Sequence, residues 1–418
     1  MSKKFNKICF VFPYRGIGGV PVIFSLIAEN IAINYDYKVY IVDYIDGALS
    51  RQTNKRICKF IEYSDNKKIS LPSNSIIIMQ AMTPWSIFPS LLIPNSSKLF
   101  FWVLHFSNFL PLIPGLRKYM QSNYFIFSIF SKTILLPWYL KTKKFINHLF
   151  ENNALAFMDK DSYRITSKFL NIYNPKPLFI PLPTKINPKY RKLKKKSQRK
   201  IKIISIGRIV NFKFYTLALA IKKLDEYAKT KDIKIDFTLI GSGPYEKEIY
   251  NLSQKYKRLN YIFIKEIPYL KLNSFVKGNF DIAFAMGSAA LKCASLGVAT
   301  VLLDMSYKKV GDKYSFNWLY QRKGYTLGDH INKESYLKHG NSLSKLIDQY
   351  LDDPDLISKN SYLYALKNHS IERISKLLLK FIHRSSIDIQ SSAFLNFTSR
   401  GIFYSTFKNI FGSRHNQP

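Results

Sequence analysis

Acidic residues are scarce in this 418-residue chain: 27 Asp and Glu stand against 64 Lys and Arg, for a formal net charge of +37. Such a deficit excludes a balanced surface and demands anionic company, whether nucleic acid, anionic lipid or phosphorylated substrates. Part of the lysine excess is compositional, since Ile, Asn, Tyr and Phe are abundant too. Cysteine is nearly missing. Cys9, Cys58 and Cys293 form neither a paired framework nor a metal-ligand spacing, so buried thiols in a reducing cytosol are expected. Long apolar runs are also lacking. The nearest, residues 124–140, is interrupted by Pro137 and falls short of the ~20 apolar residues a spanning helix needs. The first seven residues carry no apolar core of a secretory signal.

What is present is a globular composition, 47% apolar and 22% charged, in a chain long enough for two domains. Apolar, β-branched runs at 8–12, 38–43, 75–79, 98–104 and 155–158 predict buried strands. Helix-like spacing at 21–33 places strand, turn, helix and strand in the order of a parallel sheet. The stretch 182–200 breaks this rhythm with Pro183, Pro188 and a run of bases from Arg191 to Lys200, as a linker does. A second alternation follows, with strands predicted at 201–206, 235–240, 261–264, 281–285 and 299–303. Residues 370–382 carry apolar positions at helical spacing, and no clear periodicity follows Arg384. The predicted division is 1–183, a linker at 184–200, 201–370, a helix at 371–384 returning to the first domain, and a loose basic tail at 385–418. Two α/β halves of this kind face each other across a cleft, with ligands at the strands' carboxyl ends. Segment 124–140, followed by Lys141, Lys143 and Lys144, reads either as a helix in the bilayer interface or as a buried helix.

The motifs fall at strand ends. Gly207-Arg208 and Lys213 follow the first strand of the second half. Arg forks to two oxygens and Lys acts as a point charge, so the pair suits a departing diphosphate. Gly241-Ser242-Gly243-Pro244 marks the next turn, and Gly287, Ser288 and Ala289 open a later helix as an anion site. In the first half, Gly16-Ile17-Gly18-Gly19 lies between strand and helix, and His105 ends a strand, placed to touch a sugar hydroxyl or move a proton.

These residues resemble the nucleotide-sugar-dependent glycosyltransferases of the GT-B fold, in the broad group 1 family of retaining enzymes. The likeness covers most of the chain and is most specific over residues 201–303. Gly207-Arg208 with Lys213 resembles that family's phosphate-binding pair, and Gly241-Ser242-Gly243-Pro244 its Gly-x-Gly-Pro turn. Gly18-Gly19-Val20 is similar to its N-terminal glycine loop, and Trp102-Val103-Leu104-His105 to its strand with a histidine near the donor sugar. Residues 286–297, Trp318-Leu319-Tyr320 and the segment from Gly324 to Gly328 resemble a subgroup acting on cell-surface polysaccharides such as lipopolysaccharide and capsule.

The resemblance implies an α/β architecture of two Rossmann-like domains. It implies transfer from a nucleotide sugar to a growing, lipid-linked glycan with retention, and with neither metal nor cofactor. Arg208, Lys213 and His105 become the catalytic candidates. Gly18, Gly19, Gly241, Gly243, Gly287, Ser288, Ala289 and Lys292 become the donor-binding ones. The implied setting is cytoplasmic, peripheral at an anionic inner membrane face. The family's paired glutamates fall at Phe284 and Lys292. Lysine has no acceptor for ribose hydroxyls, which leaves three readings open: Lys292 on a phosphate, another residue on the nucleotide, or a degenerate subunit that binds a glycan or partner enzyme. A nucleic-acid partner rests on charge alone and is not expected.

Overall fold

The apolar runs pair in parallel, as strands covered on both faces do. The computed structural model describes residues 5–16, 18–84, 87–88, 90–110, 124–187, 190, 200–331, 340–387 and 394. It divides into two units, Met1–Pro183 with Ile371–Pro418, and Thr184–Ser370.

The first unit runs β1 (Lys7–Val11), α1 (Gly19–Asn34), β2 (Lys38–Asp43), α2 (Ala48–Gln52), β3 (Lys59–Glu62), β4 (Ile69–Ser70), β5 (Ser75–Gln80), β6 (Leu91–Leu92) and β7 (Lys98–Val103). It continues α3 (Tyr124–Thr133), α4 (Leu136–Glu151), β8 (Leu155–Phe157), α5 (Lys160–Leu170) and β9 (Leu178–Phe179). Its main sheet has the order β3-β2-β1-β5-β7-β8-β9, and β4 pairs with β6. Ile8 lies in register with Val39 and Ile76, so β1 is central and wholly buried past Lys7. Phe10, Phe24 and Trp102 pack in one core, and the Trp102 indole N–H donates to the Ile180 carbonyl at 2.9 Å.

The second unit runs β10 (Lys200–Ile206), α6 (Asn211–Lys231), β11 (Lys234–Ile240), α7 (Glu246–Lys255), β12 (Leu259–Ile264), α8 (Tyr269–Val276), β13 (Ile282–Ala285), α9 (Ser288–Ser295), β14 (Ala299–Leu302), β15 (Asn317–Trp318), α10 (Leu343–Asp352) and α11 (Pro354–His369). The sheet order is β12-β11-β10-β13-β14-β15, with only β15 antiparallel. Side-chain caps start the late helices: Ser342 accepts from Lys345 N–H, and Asp353 from Leu356 N–H ahead of Pro354. Both sheets are doubly wound. Their order reverses between β1 and β5 in one unit and between β10 and β13 in the other.

A later helix, α12 (Ile371–Ile382), belongs to the first unit. Ile371, Ile374, Leu378 and Ile382 are buried at spacings of three and four, and the helix packs on α1. Just beyond it, the Tyr37 hydroxyl and His383 Nε2 are 2.6 Å apart. Burial first, and nearby Lys98 second, hold the His383 pKa below its ordinary 6.5. The unfolded chain therefore takes up this proton before the folded one. The contact's small contribution is present above about pH 6.5 and is lost as pH falls through the native pKa. The urea midpoint should drop less between pH 7 and 5 in His383→Gln than in the native protein. An unchanged pH dependence would remove this role.

Three sequence expectations need correction. The tail from 385 is not loose where it is described: Ser385 Oγ donates to the Leu99 carbonyl at 2.6 Å, Ile387 is buried, and Phe394 packs on Phe145. Hydroxyls and isolated apolar side chains dock without any periodicity to announce them. The ends of the 184–200 linker are likewise held in the second unit. Thr184 N–H donates to the His369 carbonyl at 2.7 Å, and the Tyr190 hydroxyl to Asp355 at 3.1 Å. Most of the basic run, 191–199, lies outside the described residues. Segment 124–140 is two helices rather than one. It is α3 and the start of α4, with Phe127 and Ser131 buried and other apolar residues exposed.

Candidate functional site

The reversal between β10 and β13 is where open parallel sheets bind ligands, because the following turns diverge and leave a crevice. A small open recess lies there, lined by Gly207, Arg208, Lys213, Phe214, Phe284 and Met286 among others. Lys213 is the third residue of α6 and folds back over the turn. Its Nζ lies 2.9 Å from where a Cβ on Gly207 would sit. The side chain is half-buried, and Arg208 is exposed. Burial first, and the Arg208 charge second, push the Lys213 pKa down. Among the described residues neither cation is paired with a carboxylate. Two cations held together, one of them desolvated, have the charge and placement that suit an anion.

The neighbouring glycines brace this turn. Gly241 has φ +145°, and a Cβ there would meet the Gly207 carbonyl oxygen at 2.1 Å. At Gly243, φ +155°, a Cβ would meet the Ile209 carbonyl oxygen at 2.4 Å. Backbone bonds lace the two turns, with Gly207 N–H to Ile240 at 2.9 Å and Ile209 N–H to Ser242 at 2.9 Å. The Gly243 N–H is taken by the Glu246 carboxylate at 2.6 Å. Both glycines are demanded by packing, which places Arg208.

At the start of α9, Gly287 turns the chain at φ +62°. Its N–H donates to the Leu327 carbonyl at 2.7 Å, so it is spent within the fold rather than offered to a ligand. Ser288 and Ala289 follow at the helix start, where no side chain caps their N–H groups. Lys292 sits one turn on, half-buried. Burial lowers its pKa most, Cys293 opposes that, and Lys185 lowers it by less. Phe284 is fully buried in β13 and belongs to the hydrophobic core.

A buried ion network that sequence reading missed anchors this side. Asp304 accepts from Arg322, from the Tyr314 hydroxyl at 2.7 Å and from Asp329 N–H at 2.8 Å, while Arg322 also reaches Asp329 at 3.1 Å. It holds the segment carrying Leu327, the acceptor for Gly287. The signal in the sequence was Asp304, an acid directly after the apolar run at 299–303.

In the first unit, Gly18 precedes α1 and Gly19 begins it. A Cβ at Gly19 would meet nothing within 4 Å, and one at Gly18 would make only ordinary contact with Tyr14. Packing therefore does not require these glycines, and at Gly16 a Cβ would meet the Tyr14 hydroxyl at 2.4 Å, the far end of a side chain that can turn aside. Buried Asp43, also missed from sequence, holds the loop by accepting from Tyr14 N–H at 2.8 Å and Ser50 N–H at 3.0 Å. His105 is exposed just beyond β7. Its Nδ1 accepts from Ser107 N–H at 3.2 Å and lies 2.7 Å from the Ser107 hydroxyl. A backbone N–H has only a proton to give, so the neutral ring carries its own proton on Nε2. Nitrogen-15 chemical shifts should show that tautomer. A neutral ring protonated at Nδ1 would overturn the assignment.

Two doubly wound sheets, each with glycine turns at its reversal, make this the GT-B fold of two Rossmann-like domains seen in glycosyltransferases. Two solved structures share it. A glycosyltransferase from Rickettsia africae ESF-5 matches with a TM-score of 0.52 and 12% identity, over 92% of this chain and 99% of that one. An E. coli trehalose-6-phosphate protein bound with UDP-2-fluoro glucose matches with a TM-score of 0.54 and 11% identity, over 91% and 99%. No protein-family model matches the sequence, and no curated protein matches it.

Proposed function

We propose that this protein is a glycosyltransferase. It moves a sugar from a nucleotide sugar to a growing, lipid-linked cell-surface glycan, with retention of configuration and without a metal, at the cytoplasmic face of the inner membrane. The observation that carries the reading is the Arg208–Lys213 pair at the sheet reversal, two cations that no carboxylate among the described residues pairs with. As the sugar–diphosphate bond breaks, negative charge grows on the leaving oxygens. Preorganised cations in a partly desolvated recess stabilise that charge more than they stabilise the ground state. The N–H groups of Ser288 and Ala289 add to this, while Gly241, Gly243 and Gly287 hold the turns. Gly18, Gly19 and His105 are assigned to the sugar, with Nε2–H as a donor to a hydroxyl. The UDP-sugar bound to the E. coli protein of the same fold supports a nucleotide-sugar donor.

Lys292 and Phe284 favour a second reading, a catalytically degenerate subunit that binds a glycan or partner enzyme. A thermal-shift and hydrolysis screen against a panel of nucleotide sugars, with Lys292→Glu alongside, separates the two. The enzyme reading expects one donor to stabilise and be turned over by the native protein. Donor binding by Lys292→Glu alone would establish the degenerate reading.

A further inference from the structure

We infer that the α3–α4 face of the first unit is a docking surface for an anionic lipid bilayer. The inference rests on the proposed lipid-linked acceptor, which gives a membrane contact its use. Ile126 and Ile129 on α3, Ile134 at the junction, and Leu136 and Leu140 on α4 are between 42% and 66% exposed. Their spacing follows the outer face of each helix, since Phe127 and Ser131 on α3 and Thr142, Phe145, Ile146 and Leu149 on α4 point into the core. The two helices touch each other, and the exposed residues run across the join between them. Five large aliphatic side chains on one helix pair form a concentrated patch rather than the scattered exposure normal for a surface.

The charge around the patch selects the occupant. No Asp or Glu occurs between Asp65 and Glu151, while Lys132, Lys141, Lys143 and Lys144 flank the exposed residues. Lys132 lies over the Tyr139 ring at 5.8 Å, and half-buried Trp138 and Tyr139 sit between the apolar and basic parts. Apolar residues entering the acyl boundary, aromatics at its edge and lysines among the headgroups are the arrangement an interfacial helix pair needs. Neither helix is long and apolar enough to cross a membrane. The face therefore lies on the bilayer.

The test is co-sedimentation of the full chain with vesicles of phosphatidylcholine alone or with 30% phosphatidylglycerol (about 30%, enough for a negative surface potential). The native protein should sediment with the anionic vesicles only. Ile129→Asp with Leu140→Asp should weaken that binding about tenfold or more, and binding to anionic vesicles should fall with added salt. Nucleotide-sugar hydrolysis in vesicle-free buffer should survive both changes, so loss of docking is read separately from loss of the donor site. A second measurement is independent of how that variant folds. All three native cysteines are buried, so a thiol-reactive polarity-sensitive dye labels Ile134→Cys selectively, and its emission should shift to the blue with anionic vesicles. Failure of the native protein to bind, unchanged binding by the double variant, or an unshifted dye on bound protein would each overturn the proposal. Equal affinity for a soluble polyanion such as heparin, insensitive to Ile129→Asp with Leu140→Asp, would also overturn it in favour of a charge-only contact.

Discussion

Lys213→Met is expected to lower sugar-transfer turnover by about 10²- to 10³-fold while leaving the fold intact or more stable. The two effects have one origin. Lys213 carries its charge in a half-buried position with no carboxylate paired to it among the described residues, and its pKa is lowered by burial and by Arg208. A depressed lysine pKa means the unfolded chain binds this proton more tightly than the folded one does. Stability therefore rises with pH between the native pKa and the ordinary lysine value of 10.5. Replacing the ammonium with a methionine of similar length removes that penalty and flattens this part of the profile. The same substitution removes a charge that a departing diphosphate needs. Binding of UDP to the native protein should weaken as pH rises through the Lys213 pKa, and that limb should vanish in the variant. Arg208→Ala is expected to lose turnover as well, and the double variant less than the product of the two, because both cations act on one leaving group. Calorimetric UDP titration, steady-state kinetics and urea unfolding measure the three quantities. Native turnover in Lys213→Met would sink the leaving-group role and leave the pair as surface bases.

Gly241→Ala should destabilise the second unit by about 3 kcal/mol or more. Its Cβ would stand 2.1 Å from the Gly207 carbonyl oxygen, in a backbone conformation of φ +145°. The obstructing atom is backbone, bonded into the turn between β10 and α6, so no side chain can swing aside. The turn that presents Arg208 must move or the strands must part. Gly19→Ala is the matched control. A Cβ there meets nothing within 4 Å, and the residue opens a helix, so its stability change should stay within about 0.5 kcal/mol. Urea unfolding of the two variants reads the contrast directly. If Gly19→Ala keeps its stability but loses donor turnover, the glycine serves ligand approach. Equal stability losses at the two positions would contradict the packing argument.

The architecture was legible because strands buried on both faces read as unbroken apolar runs. The run at 201–206 is β10 from Lys200, and the run at 299–303 is β14. Boundaries were less legible where no cap marks them. α6 begins at Asn211, where Val210 offers no capping side chain to mark the boundary. Short elements such as β3 and β9 were missed, since two to four residues show no period.

The sequence by itself determined the alternation of strand and helix, the parallel sheets and the placing of glycine and basic residues just after strand ends. These follow from local patterns that survive whatever the rest of the chain does. Only the tertiary structure decided what surrounds each of those residues. Gly287 spends its N–H on Leu327 from a distant loop, Gly241 is required by the carbonyl of Gly207, and Lys213 is desolvated beside Arg208. The apolar stretch at 124–140 likewise divided into a buried face and an exposed one. Burial, backbone approach and the absence of a counter-charge depend on which segments meet, and that is not written in the spacing of any one of them.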